Sequence, residues 1–103
     1  MKYSEIYDIV KSIPKGMVST YGLIAMATGN IRRSRVVGTA MSRCSDKSVP
    51  CHRVIRQDGS MSRVFGVGGS DYQRFLLEHE GVGFLEDGRV DMENYLYIPS
   101  GKA

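Results

Sequence analysis

The stretch YGLIAMATGNIRRSRVVGTAMSRC, residues 21–44, decides the fold. Ser19 and Thr20 stand just ahead of it as candidate caps, Tyr21 to Thr28 reads as a short helix, and Gly29 with Asn30 stops it. A second helix then runs from about Arg33 to Cys44. Its apolar residues Val37, Ala40, Met41 and Cys44 fall on one face, while Arg35, Gly38, Thr39 and Ser42 share the opposite face. Two short helices joined by a tight turn, the second with a small, polar, arginine-led face, describe a helix-turn-helix shaped to enter a nucleic-acid groove.

Outward from that unit the periodicity stays mostly helical. Ile6, Ile9, Val10 and Ile13 recur at helical spacing, predicting an amphipathic helix over 4–13 that Pro14 and Gly16 end. Downstream, Val54-Ile55-Arg56 and the turn Gln57-Asp58-Gly59-Ser60 read as a short hairpin in the position of a wing. Gly66, Gly68 and Gly69 make a loop. Ser70 with Gln73 forms a capping-box pattern for a further helix, closed by Gly81, on which Tyr72, Phe75, Leu76 and His79 share a face. Asp87-Gly88 predicts a second hairpin over 84–90, and Tyr95 to Ala103 is expected to be loosely ordered. The expected architecture is a mainly α fold with a small β wing, a winged helix-turn-helix-like single domain over residues 1–103.

Composition agrees with that size and class. The chain has 103 residues, 42% of them apolar and 24% charged, enough for one core and not for two. No apolar run approaches the roughly 18 residues of a membrane span, so no membrane partner is expected, and a cytoplasmic, nucleoid-associated or nuclear setting is. The net charge of +3 is modest, but Arg32, Arg33 and Arg35 concentrate it beside the second helix.

The chemistry rests on SVPCHRVI, residues 48–55. Cys44 and Cys51 are the only two cysteines, too few for a disulfide framework, and no CxxC pair or histidine cluster completes a zinc site; neither metal nor cofactor is expected. Cys51 could be a nucleophile or a small buried apolar residue. A thiol with an ordinary pKa of about 8.5 needs a cationic or hydrogen-bonding setting to act, and His52 and Arg53 adjoin it while Glu80 could orient a histidine. On an extended segment Cys51 and His52 would point apart, so cooperation requires a bend at Pro50 or a bridging water.

These residues carry a resemblance. VPCHRVI resembles the active-site signature of the O6-alkylguanine-DNA alkyltransferases, suicide repair proteins that move an alkyl group from guanine O6 to their own cysteine. KGMVSTYGLIA resembles the segment bearing that family's catalytic tyrosine, SRVVGTAM its recognition helix, and FLLEHEG the helix supplying its glutamate. The resemblance covers about residues 3–81, nearly all of the family's C-terminal domain. It implies Cys51 as alkyl acceptor, His52 as water-linked general base, Glu80 as the histidine's partner, and Tyr21 as the residue that assists base rotation and protonates the departing guanine. It implies Arg35 as the finger that fills the stack behind the flipped base, with Thr20, Gly38, Thr39 and Ser42 facing the DNA, and Tyr21, Met41, Val67 and Gly68 lining the alkyl pocket.

Two departures accompany the matches. Cys44 stands where the family has an asparagine that braces the turn before the active site. Gly66 and Val67 replace a tyrosine and a serine of the pocket loop, which implies a wider, less selective pocket. The implied protein is a monomer acting on double-stranded DNA that carries O6-alkylguanine, by single-turnover transfer to Cys51. A non-enzymatic sensor of the same lesion is the alternative, and a sequence-reading winged-helix regulator a third, disfavoured by a recognition face poor in Asn and Gln.

Overall fold

A computed structural model describes residues 2–61 and 69–100, with backbone only at 69 and 70. Helix α1 spans Tyr3–Lys11, β1 Ser19–Thr20, α2 Tyr21–Ala27, α3 Ser34–Arg43, β2 Val54–Ile55, α4 Gly69–His79 and α5 Met92–Tyr95. Single 3₁₀ turns cover Ile31–Arg33 and Cys51–Arg53. The fold is mostly helical with a small two-stranded sheet, as the periodicity predicts.

The helix-turn-helix forms from local signals. Thr20 rather than Ser19 caps α2, its hydroxyl oxygen accepting from Leu23 N at 3.1 Å. Asn30 Oδ1 accepts from Arg32 N at 2.9 Å to start the turn, and Arg33 Nη1 donates to Thr28 O at 3.1 Å, closing the C-terminal end of α2. Helices α1, α2 and α3 bury Ile6, Val10, Ile24, Ala25, Val37 and Ala40 together in one cluster, which Ile13, Val49 and Val54 extend. Burying side chains of this size contributes roughly 1.5–3 kcal/mol each and fixes α3 against the scaffold with its polar face outward.

Strand β2 pairs in parallel with β1, Ser19 opposite Val54 and Thr20 opposite Ile55, a ladder partner before the helix-turn-helix that the sequence did not predict; residues 62–68, which would form most of the second arm of the expected hairpin, lie outside the described residues. Parallel strands need a long crossover, and the helix-turn-helix is that crossover. The predicted turn itself forms, with Gly59 N donating to Arg56 O at 2.9 Å and Arg56 N to Ser60 O at 3.1 Å.

The C-terminal segment also departs from expectation. The predicted second hairpin is present as a Phe84–Val90 bridge, but residues 95–97, expected to be loosely ordered, are paired: Leu96 bridges Val18 in parallel, with Val18 N donating to Tyr95 O and Tyr97 N to Val18 O at 2.9 and 2.7 Å; residues 101–103 lie outside the described residues. Val18, Ile55, Leu77, Val82 and Val90 form the second buried cluster beneath these strands. Pairing with Val18 satisfies backbone groups that a loose tail would leave to water.

Gly59 joins the two turns. Its φ is +90°, and an added Cβ would stand 3.1 Å from Val90 O, whose neighbouring amide donates to Gly59 O at 2.9 Å. Gly59→Ala is therefore expected to cost about 1–3 kcal/mol, read as a lower urea midpoint with unchanged slope.

Candidate active site

Pro50 bends the chain ahead of Cys51. Cys51 N donates to Val49 O at 2.8 Å and Arg53 N to Pro50 O at 3.0 Å, folding Cys51–Arg53 into a 3₁₀ turn in which side chains fan outward and do not alternate. The bend the sequence required is present. It sends the His52 ring toward α4, where Nε2 lies 3.0 Å from Glu80 Oε2.

Glu80 is the hub of this site. Besides His52, it accepts from Arg53 Nε at 3.0 Å on Oε1 and from Arg53 Nη2 at 2.7 Å on Oε2, while Arg53 Nη1 donates to Ile13 O at 2.9 Å. The bidentate geometry holds the guanidinium and carboxylate in one plane, and the Ile13 contact anchors both to the end of α1. Burial raises the Glu80 carboxyl, but the hydrogen bonds and charges of Arg53 and His52 outweigh it and hold it down at about 2. A carboxylate so firmly ionised can only accept, so in the neutral imidazole the proton sits on Nε2 and Nδ1 carries the lone pair.

Arg53 and Gln73 carry roles that sequence reasoning did not assign. Gln73 is fully buried on α4, and its amide nitrogen donates to His52 O at 3.1 Å and Val54 O at 2.9 Å, tying the catalytic turn to the helix that Glu80 directly follows. Its spacing to Leu77 and Glu80 marks the inward face of α4. Tyr72, Phe75 and His79 share a face, as expected, which points outward at Phe75, 61% exposed and stacked between Tyr72 and His79; Leu76, expected with them, is half-buried and lines the cavity beside Cys51. The inward face is led by a polar residue because the turn beneath it presents carbonyls in need of donors.

Cys51 is half-buried and opens on a cavity of about 620 Å³ between the end of α3, the 45–49 loop and α4. Met41, Cys44, His52 and Tyr72 are among its lining residues. Burial pushes the Cys51 thiol up to about 12, with the neighbouring Cys44 sulfur adding to the effect. The resting site therefore holds a protonated thiol close to an oriented base, and not a free thiolate. Val67 and Gly68, expected as a further wall, lie outside the described residues.

Tyr21, the first residue of α2, lines a different concavity of about 460 Å³ with Gly22, Ile31, Ser34 and Arg56. Cys51, His52 and Glu80 are thus brought together, while Tyr21 stands on the neighbouring side of the helix-turn-helix. Along α3, Arg35, Thr39 and Ser42 are exposed and Gly38 half-exposed. Thr39 and Ser42 satisfy their hydroxyls within the helix, on Arg35 O at 3.1 Å and Thr39 O at 2.9 Å. No atom approaches within 4 Å of a Cβ placed on Gly38, so nothing inside the fold requires glycine there. Thr20, expected to face the DNA, is 5% exposed, and its hydroxyl oxygen accepts from Leu23 N in the cap of α2. Among the described residues no group of three or more His, Cys, Asp or Glu could hold a metal ion.

Residues 2–82 match the family described as 6-O-methylguanine DNA methyltransferase, DNA binding domain. The chain is 37% identical over 102 residues to alkyltransferase-like protein 1 of Schizosaccharomyces pombe, covering 94% of each chain. It is 35% identical over 96 residues to a bifunctional methyltransferase/endonuclease of Picrophilus torridus, covering 92% of this chain and 31% of that protein. The crystal structure of S. pombe Atl1 in complex with damaged DNA containing O6-carboxymethylguanine superposes with a TM-score of 0.81 at 37% identity, again over 94% of each chain.

Proposed function

The chain belongs to the 6-O-methylguanine DNA methyltransferase family by its DNA-binding domain, and from that premise we propose that it binds duplex DNA carrying O6-alkylguanine, turns the damaged base out of the stack and takes the alkyl group onto Cys51. The observation that carries this reading is a cysteine at the start of a turn whose next residue, His52, is oriented by Glu80 at 3.0 Å. In the transfer the Cys51 Sγ–carbon bond forms as the carbon–O6 bond breaks. The thiol proton passes through water to His52 Nδ1, and the guanine, left negative, takes a proton from Tyr21. The thioether is stable, so each chain acts once.

The exposed face of α3 fits the binding step. Gly38 leaves room for close approach of a sugar-phosphate backbone, and Arg35 stands free at the helix start to occupy the gap left by the base. Arg35→Ala is expected to slow alkyl transfer from duplex DNA about tenfold or more, because an inserted side chain offsets part of an unstacking cost of a few kcal/mol. Transfer from free O6-benzylguanine, which needs no flipping, should change little. Equal losses on both substrates would remove Arg35 from the flipping step.

A second reading, a lesion sensor without chemistry, is favoured by two observations: the half-buried Cys51 thiol, raised to about 12, and the similarity over 94% of each chain to an alkyltransferase-like protein. Incubation with a duplex holding one O6-methylguanine, followed by peptide mass mapping, separates the readings. A methyl group on Cys51 supports transfer. Lesion-dependent binding with no mass change supports the sensor, and indifference to the lesion sinks both.

A further inference from the structure

The two cysteines come together although seven positions separate them in sequence. Cys44 ends α3, where its extended backbone turns the chain away from the helix, and the 45–50 loop returns to place Cys51 against the same cavity and the same apolar cluster. The Tyr7 side chain marks the spot. Its hydroxyl donates to Ala40 O at 2.9 Å, one turn before Cys44, and it lies within electrostatic reach of both sulfurs. Residues 45–48 of the intervening loop are exposed, so a small solute can reach the cavity.

We propose that Cys44 and Cys51 form a reversible dithiol which a hydroperoxide oxidises to an intramolecular disulfide, withdrawing Cys51 from reaction. Cys44 reacts first: its sulfur attacks the peroxide, the O–O bond breaks, an alcohol or water leaves, and a sulfenic acid remains. Cys51 Sγ then attacks the Cys44 sulfur, the S–O bond breaks, and the hydroxyl departs as water with the Cys51 proton. The peroxide gains two electrons and the two thiols lose them. The order follows from position: Cys44 adjoins the exposed 45–48 loop from which peroxide enters, whereas the Cys51 thiol, raised by burial, is the poorer initial nucleophile yet stands beside the sulfur that it must attack. The disulfide also spares Cys51 from irreversible oxidation, because the oxidised Cys44 is resolved before a second peroxide arrives.

The disulfide itself does not depend on alkyl transfer; only its consequence for repair rests on the proposed function. The reduced full chain is treated with limiting hydrogen peroxide, quenched, digested and mapped by mass spectrometry. The expected product is one cross-linked peptide pair holding Cys44 and Cys51, lighter by two hydrogen atoms and released by dithiothreitol. In parallel, wild-type methyl acceptance is lost after peroxide and returns with dithiothreitol. Cys44→Ser, compared with its own untreated sample, keeps its acceptance through the same exposure. Oxygen added to Cys51 without a cross-link, a cross-link between chains, or a Cys44→Ser protein as peroxide-sensitive as wild type would each overturn the proposal. If neither protein accepts methyl groups, the peptide map still decides the dithiol and the proposed function alone fails.

Discussion

Cys51→Ser is expected to take no alkyl group from a duplex containing O6-methylguanine while binding that duplex as tightly as the wild type. The substitution keeps the size of the side chain and removes polarizable sulfur, the atom best suited to displace guanine from a saturated carbon. Burial raises the Cys51 thiol to about 12, so at pH 7 it is protonated and transfer requires the proton to leave as the S–C bond forms. His52 can take it, because Glu80 occupies Nε2 and leaves the Nδ1 lone pair. A serine hydroxyl starts from a still higher pKa in the same half-buried setting, and the same base cannot make it competent. Intact protein mass after incubation reads the result directly. A methyl adduct persisting on the Cys51→Ser protein would move the acceptor elsewhere, with Cys44 the neighbouring thiol in the cavity.

What the sequence disclosed follows the range of the interactions involved. The helix-turn-helix was legible because its signals are local: Thr20 ahead of α2, Asn30 in the turn, and Val37 and Ala40 on one face of α3. The partner of β2 was not, since Ser19–Thr20 lies on the far side of two helices and a parallel ladder leaves no hairpin signal. The same holds for Val18, whose pairing with Leu96 joins the two ends of the described chain. The inward face of α4 was not legible for another reason: it is chosen by what the catalytic turn needs, donors for the His52 and Val54 carbonyls, and Gln73 supplies them. Cys51, His52 and Glu80 were legible through resemblance. Arg53 was visible beside them and its role was not, because only the fold shows that its guanidinium spans Glu80 and the end of α1.

Glu80→Gln is the substitution expected to damage stability most among the polar residues of the site. It leaves the Arg53 guanidinium, 16% exposed, without its counter-charge, and it turns an amide toward donors that need an acceptor. Removing one partner of a buried pair costs about 3–5 kcal/mol, with the lower end expected here because one edge of the pair meets solvent. The pH dependence gives an independent check. The folded carboxyl is depressed, to about 2 against an ordinary 4.5, so its contribution is complete above pH 4.5, declines as the pH falls, and is gone below about 2. Full conversion of that depression gives about 3 kcal/mol at neutral pH, and screening by water at the rim reduces it to about 2. Urea midpoints of wild type and Glu80→Gln should therefore stand well apart at pH 7 and draw together between pH 4.5 and 2. A gap unchanged over that window would mean that the charge of Glu80 is not what holds the turn. The same variant separates orientation from stability at a temperature where both proteins are folded. Without a carboxylate to fix the proton on Nε2, His52 no longer presents Nδ1 reliably, and methyl acceptance should fall while binding to lesion-containing duplex remains.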